Sequence, residues 1–308
     1  MMWQTKSFSL RYVQAFFLLF TVVVSLLWAS LAHAQQAEMS ADEAAKKLAN
    51  PAGSLSSLAN NLTYRTYKGD LPDADSQDSW SYTFQPVLPF PVGDKDRRII
   101  FRPAFTVAFN QPVFEPDEGE FRNLNTNLDD LTFDLVYAGN NMKTRQEGYL
   151  WGVGLAGTVP IATNDALGGE QWRFGPELFG GVLQKWGVFG ALVNNQWNLG
   201  GGNGEPGSND EPYSTTSAQY FYGITLGNGW QILTAPVIMY DWKADSDEAL
   251  SLPLGTGIAK TMKIGDTTWR FQTEIWYYVE QPDSFGPEWQ WTFEVRPIIQ
   301  NPLLGWFR

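Results

Sequence analysis

Ten charged residues of the 308-residue sequence recur on the polar parity of alternating runs, and any chemistry of the chain starts with them. They are Arg102, Asp130, Asp134, Arg173, Glu177, Asp241, Arg270, Glu274, Glu294 and Arg296. Their signs are mixed. Arg270/Glu274 and Glu294/Arg296 fall on consecutive strand-like runs and are spaced to face one another across a strand pair. Such a set serves one of two ends. It fills an enclosed interior with paired charges, because a buried charge must be compensated. Or it lines a narrow pore that selects solutes by size and polarity. The residue types leave both open.

Proton-transfer and nucleophilic chemistry have few tools here. The chain has no cysteine, and its one histidine, His33, lies in an N-terminal leader. A processed chain then lacks the commonest general base, so hydrolytic triads are disfavoured and no enzyme is expected. Leu199–Gly207 contains GGGNG, but no helical pattern follows it and it reads as a flexible loop. The acidic clusters Asp73–Asp78 and Asp245–Glu248 offer hard oxygens, yet neither has EF-hand spacing. No metal or cofactor is expected. The 33 acidic against 21 basic residues give a formal charge of −12, which argues against nucleic acid as a partner.

The elements that must position these residues are strands. In EWQWTFEVRPIIQ (Glu288–Gln300), Trp289, Trp291, Phe293 and Val295 alternate with Gln290, Thr292, Glu294 and Arg296. Eleven earlier runs share the pattern: Leu58–Tyr67, Trp80–Phe90, Ile99–Asn110, Asp130–Ala138, Tyr149–Val159, Trp172–Gln184, Gly187–Asn198, Ala218–Leu226, Trp230–Trp242, Leu250–Met262 and Thr268–Val279. Alternation alone does not say whether the aromatic face meets a core or lipid. Run length does speak to it. Most runs exceed the five or six residues usual in globular strands and match the roughly nine to eleven of a tilted membrane-crossing strand.

Connections and charge agree. Long links such as Lys68–Ser79, Gln111–Asp129, Pro160–Gln171 and Leu199–Ser217 alternate with short ones such as Lys185-Trp186 and Gly227–Gly229. The long set is rich in Asp and Glu, including Glu205, Asp210 and Glu211, whereas Lys and Arg, including Arg145, gather in the short set. That is the sidedness of an outer-membrane barrel. The expected fold is all-β: an antiparallel transmembrane outer-membrane β-barrel of about 12 strands with a short N-terminal helix.

Residues 1–34 read as a cleaved signal peptide: a basic start at Lys6 and Arg11, an apolar run Phe16–Trp28, and Ala32-His33-Ala34. Residues 35–53 form a periplasmic helix and lead-in, or a small plug in the barrel mouth, with Ser40 and Glu43 at capping-box spacing and Asn50-Pro51 as the stop. Residues 54–308 form the barrel. The Phe307-Arg308 ending is unusual, because such chains generally stop on the closing strand.

Several segments together resemble the exported bacterial proteins of the meta-pathway-of-phenol-degradation family, some of which carry a neuromedin-U-like label. They are Asn50-Pro51, FQPVLPFPVGD (Phe84–Asp94), FGPELFGGVLQKWGVFGALVNNQW (Phe174–Trp197), APVIMYDWKA (Ala235–Ala244), LPLGTGIAK (Leu252–Lys260) and YYVEQPDSFGPEWQWTFEV (Tyr277–Val295). The resemblance implies an outer-membrane barrel acting as a passive channel for small, including aromatic or hydrophobic, solutes. Its partners would be outer-membrane lipid and lipopolysaccharide, the barrel-assembly machinery during biogenesis, and a small-molecule solute. The competing expectation is a closed structural or adhesive barrel that works through its acidic outer loops.

Overall fold

Alternation carries through into a computed structural model as one continuous wall of antiparallel strands. Residues 39–144, 146–201 and 212–304 are described. Residues 1–38, Arg145, most of the glycine-rich stretch with Glu205, Asp210 and Glu211, and the Phe307-Arg308 ending lie outside the described residues, so the expected signal peptide falls outside them too.

In chain order the strands are β1 (Ser56–Lys68), β2 (Asp78–Val92), β3 (Asp94–Glu115), β4 (Glu120–Leu124), β5 (Asn127–Leu128), β6 (Leu131–Met142), β7 (Gly148–Val159) and β8 (Gln171–Gln184). They continue as β9 (Gly187–Gly201), β10 (Ser214–Gly227), β11 (Trp230–Thr234), β12 (Val237–Asp241), β13 (Leu250–Ile264), β14 (Thr267–Glu280) and β15 (Gly286–Ile299). β11 and β12 both pair with β10 and β13, so together they make one stave. β4 and β5 pair only with β3. β15 pairs with β1 from Ser56↔Ile299 to Lys68↔Gly286, which closes a barrel of 12 staves. Closure removes every free edge from the wall, as a bilayer requires.

Two departures from the expected strands have local causes. The ninth run, expected to be unbroken, is interrupted at Ala235-Pro236. Proline has no N–H for the ladder, and the wall opens into two short strands there. The third strand runs past Asn110 and turns back as β4, so an outer loop becomes a β3–β4 hairpin beyond the wall.

The outer face is apolar. Leu135, Leu155, Leu178, Phe189, Ile275, Trp291 and Phe293 are all exposed on it. In water this would be an aggregation surface, and on a closed barrel it is the lipid face. Among the described residues no helix is long and apolar enough to cross a membrane. At one end the turns are tight. Asn228 and Gly229 both have positive φ, 53° and 76°, the conformation of a two-residue Asn-Gly hairpin loop. At the other end the connections are long and tied together: Asp70 N–H donates to Asp283 O at 2.8 Å, and Ser284 N–H donates to Glu248 Oε1 at 2.9 Å.

The N-terminal helix α1 (Ala41–Ala49) lies inside the barrel at the tight-turn end. Ser40 caps it by accepting the Glu43 N–H at 3.2 Å. A nine-residue helix is unstable alone, so its stability must come from packing. Ala44 and Ala45 are buried; Gly229 N–H donates to Asp42 Oδ1 at 2.5 Å, and Lys46 Nζ donates to Lys185 O at 2.9 Å. After the helix, Ala52 enters an inward apolar cluster with Ile100, Val136, Leu150, Phe179, Leu192 and Phe221. Its carbonyl accepts from Arg98 and from Asn140 Nδ2, the latter at 3.3 Å. At the far terminus a short extension follows closure and folds back, with Asn301 Nδ2 donating to Pro89 O at 3.0 Å.

Candidate functional site: the lumen and its outer mouth

The inward parity of β3, β6 and β8 brings three predicted residues together. Arg102 and Asp134 are register partners. Arg102 Nη2 lies 2.9 Å from Asp134 Oδ2 and 3.7 Å from Glu177 Oε1. β7 runs between them and at this level presents Gly152, Gly154 and Ala156 inward, which leaves the space through which the groups meet. A Cβ on Gly152 would fall 2.1 Å from the Phe179 ring, so that position has no room for a side chain. Glu177 is 0% exposed; its second oxygen accepts from Asn194 Nδ2, its register partner on β9, at 3.4 Å. One guanidinium therefore serves two carboxylates, one of them fully buried and the other partly open to the lumen.

A second constellation runs along β14 and β15. Arg270 and Arg296 stand directly opposite each other, and Gln272 stands opposite Glu294. The two cations are held apart by one anion. Glu294 Oε2 lies 2.6 Å from Arg296 Nη2, and Glu294 Oε1 lies 4.0 Å from Arg270 Nε. Arg270 donates to Gln272, and Gln272 donates to Glu274. Glu274 also accepts from Thr234 Oγ1 at 2.7 Å, Ala235 N at 3.2 Å and Trp276 Nε1 at 3.0 Å. The break between β11 and β12 supplies two of those donors. A carboxylate with this many donors is stable where an unpaired one would not be.

Neutral residues extend the network, and these escaped the sequence reading. Gln290 Oε1 accepts from Arg65 Nε at 2.7 Å, while Gln290 Nε2 donates to Thr292 Oγ1 at 3.3 Å. Gln231 and Thr261 are buried on the same face. Their only signal in the sequence was a place on the polar parity of their own strands, which does not distinguish a bridging Gln from a spectator.

Asp130, Arg173 and Asp241 sit at the outer mouth instead, away from the lumen constellations. They belong to a cavity of about 610 Å³ among the long connections, which Arg173 and Asp241 line and whose wall Asp130 holds. Above the mouth, the β3–β4 hairpin is pinned by rings. Phe121 lies 4.6 Å from Phe285, which stacks on Tyr67 at 4.6 Å, and Phe114 packs on Phe121 at 5.1 Å. Arg122 Nη2 closes on Glu115 Oε1 at 2.7 Å across the same hairpin.

No family model and no curated protein matches this chain. Solved structures do. An outer membrane channel from Pseudomonas putida F1 is similar over 80% of this chain and 94% of its own, with TM-score 0.56 and 13% identity. Outer membrane phospholipase A from Escherichia coli is similar over 79% of this chain and 90% of its own, with TM-score 0.38 and 12% identity. The Salmonella typhi phospholipase dimer with bound calcium covers 79% and 91%, with TM-score 0.38 and 10% identity. The expectation that the chain is no enzyme does not stand beside these similar barrels, which are phospholipases. Their TM-scores carry no reaction to this chain. The finer family resemblance has no matching family model behind it. What the likeness to the channel establishes is the architecture, that of an outer-membrane β-barrel.

Proposed function

We propose that the protein is a passive outer-membrane channel for small solutes, aromatic ones among them. The observation that carries this reading is the polar network of the lumen. It comprises Arg65 bonded to Gln290, the run from Glu294 through Arg270 and Gln272 to Glu274, and Arg102, Asp134 and Glu177 on the facing wall. A barrel that needed only stability would gain as much from apolar filling, because buried ion pairs are poor stabilisers. The similarity to a solved outer membrane channel supports the reading at the level of fold. α1 occupies the tight-turn end through small alanines and a few hydrogen bonds, which makes it the element that must yield when a solute leaves.

The test is single-channel recording in planar bilayers. The full chain is expected to show small discrete steps, and a chain lacking residues 39–53 larger ones. Arg102→Ala is expected to shift ion selectivity. Inserted, folded protein that conducts in neither form overturns the proposal. A closed barrel acting through its outer loops is then favoured by the complete burial of Glu177 and Gln231. Cation or surface binding lost on removal of residues 111–129 would establish that alternative.

A further inference from the structure

The outer-mouth cavity is built as a binding site, and we infer that it captures small organic monocarboxylates. Its volume, about 610 Å³, falls within the range of small-molecule sites. Leu167, Pro212 and the Tyr213 ring give it an apolar floor, and Arg173 and Lys243 give it two cations. Neither cation has a carboxylate within ion-pair distance among the described residues. Arg173 is held from behind, its guanidinium carbon 4.2 Å from the Tyr213 ring centroid. Its Nε is buried without a hydrogen-bond partner among the described residues, so the guanidinium is not spent on internal bonding.

The wall is fixed in advance. Asp130 is buried and accepts two backbone N–H groups from the Pro160–Gln171 connection, Ala162 to Oδ1 and Gly169 to Oδ2, both at 3.1 Å. Thr163 fastens the same connection to β5, accepting the Leu128 N–H at 2.9 Å. Gly169 leaves the space that the Arg173 guanidinium fills. A Cβ there would lie 1.3 Å from Arg173 Nη2, so any side chain would push the guanidinium out of place.

The chemistry of the lining selects the ligand. A planar guanidinium matches a planar carboxylate, and the apolar floor takes an organic body. Asp165 and Asp241 also line the cavity and bring its formal charge to zero, which works against dianions and free phosphate. Asp241 is partly engaged, accepting the Lys243 N–H at 2.8 Å. The inference rests on the channel reading for the later fate of the solute, and capture itself does not depend on it.

The experiment is equilibrium binding by titration calorimetry to the detergent-folded full chain. The probes are hexanoate and benzoate, with hexanamide, benzamide and inorganic phosphate as controls. Saturable binding of the acids, at least about tenfold tighter than of the amides or phosphate, is expected. Arg173→Gln and Lys243→Gln are each expected to reduce that preference by about tenfold. Lys243 lies on an exposed connection, so its variant tests the site even if Arg173→Gln fails to fold. Equal binding of acids and amides, or an unchanged preference in folded Lys243→Gln, overturns the inference. Conductance is recorded separately. Conduction without acid binding removes the site and leaves the channel, and acid binding without conduction removes the channel and leaves the site.

Discussion

Glu294→Gln is the substitution that tests the lumen network most directly. Glu294 is 3% exposed and stands between two guanidinium groups whose residues are register partners. It touches Arg296 at 2.6 Å and reaches Arg270 at 4.0 Å. Glutamine keeps the shape and the acceptor oxygen and removes only the charge. Arg270 and Arg296 then face each other with no anion between them. The charge that is lost attracts Arg270 from 4.0 Å, and at that distance two unit charges interact by roughly 4 kcal/mol at an effective dielectric near 20. Removing one partner of a buried pair typically costs about 3–5 kcal/mol, and the two routes agree. The assay is urea unfolding of the barrel in lipid vesicles, followed by tryptophan fluorescence. The double variant Glu294→Gln/Arg270→Gln removes one cation as well and is expected to recover more than half of the loss. A single-variant loss under about 1 kcal/mol, or a double variant whose losses merely add, would refute the claim that Glu294 is the buffer between the cations.

Three further outcomes follow from the same geometry. Phe293→Arg places a cation on the lipid face near the middle of β15 and is expected to cost about 2–4 kcal/mol in vesicles; a neutral result in the same urea assay would contradict the membrane orientation. Phe285→Ala removes the ring between Tyr67 and Phe121, and is expected to speed protease cleavage at the 116–119 turn of the β3–β4 hairpin; unchanged cleavage would mean that the rings do not hold it. At the outer mouth, burial raises the Asp129 pKa above 3.8, with the Asp130 charge adding, against the Asp130 N–H bond and the charges of Arg65 and Arg173. A carboxyl raised in the folded state stabilises fully below its unfolded pKa and loses that contribution as pH rises through its folded pKa. Asp129→Asn is therefore expected to flatten the fall of melting temperature over that acid-to-neutral interval, and an unchanged slope would count against it.

The wall was legible because its period is legible. Trp289 to Val295 alternate, and one face of such a strand must leave water, so an approximate strand count follows from counting runs, while closure is seen only in the β1–β15 pairing. Length and charge sidedness then separated lipid from core. What the period could not carry is depth. Arg102, Asp134 and Glu177 share a parity with Asp130, Arg173 and Asp241, yet the first three meet inside the lumen and the others lie at its mouth. Position along a tilted strand depends on register with its neighbours, and register is a property of pairs. The β11–β12 break was written in Ala235-Pro236, but its consequence was not: it turns Thr234 Oγ1 and the Ala235 N–H toward Glu274.

Glycine shows the same limit and ties the two sites together. Gly152 on β7 and Gly169 at the mouth look alike in the sequence, as residues that add nothing to a pattern. Each is a vacancy that a neighbouring side chain fills. Gly152 leaves the space that the Phe179 ring fills, while Gly154 and Ala156 keep the inner face of β7 low where Arg102 reaches Glu177. Gly169 leaves the volume that the Arg173 guanidinium occupies. Alanine at Gly169 is expected to leave the barrel folded, because the position is in a connection outside the wall, while displacing Arg173 and weakening carboxylate capture as much as Arg173→Gln does. Calorimetry on folded Gly169→Ala decides it. Full acid-over-amide preference in that variant would mean that Arg173 binds from some other position and that the mouth is not preorganised.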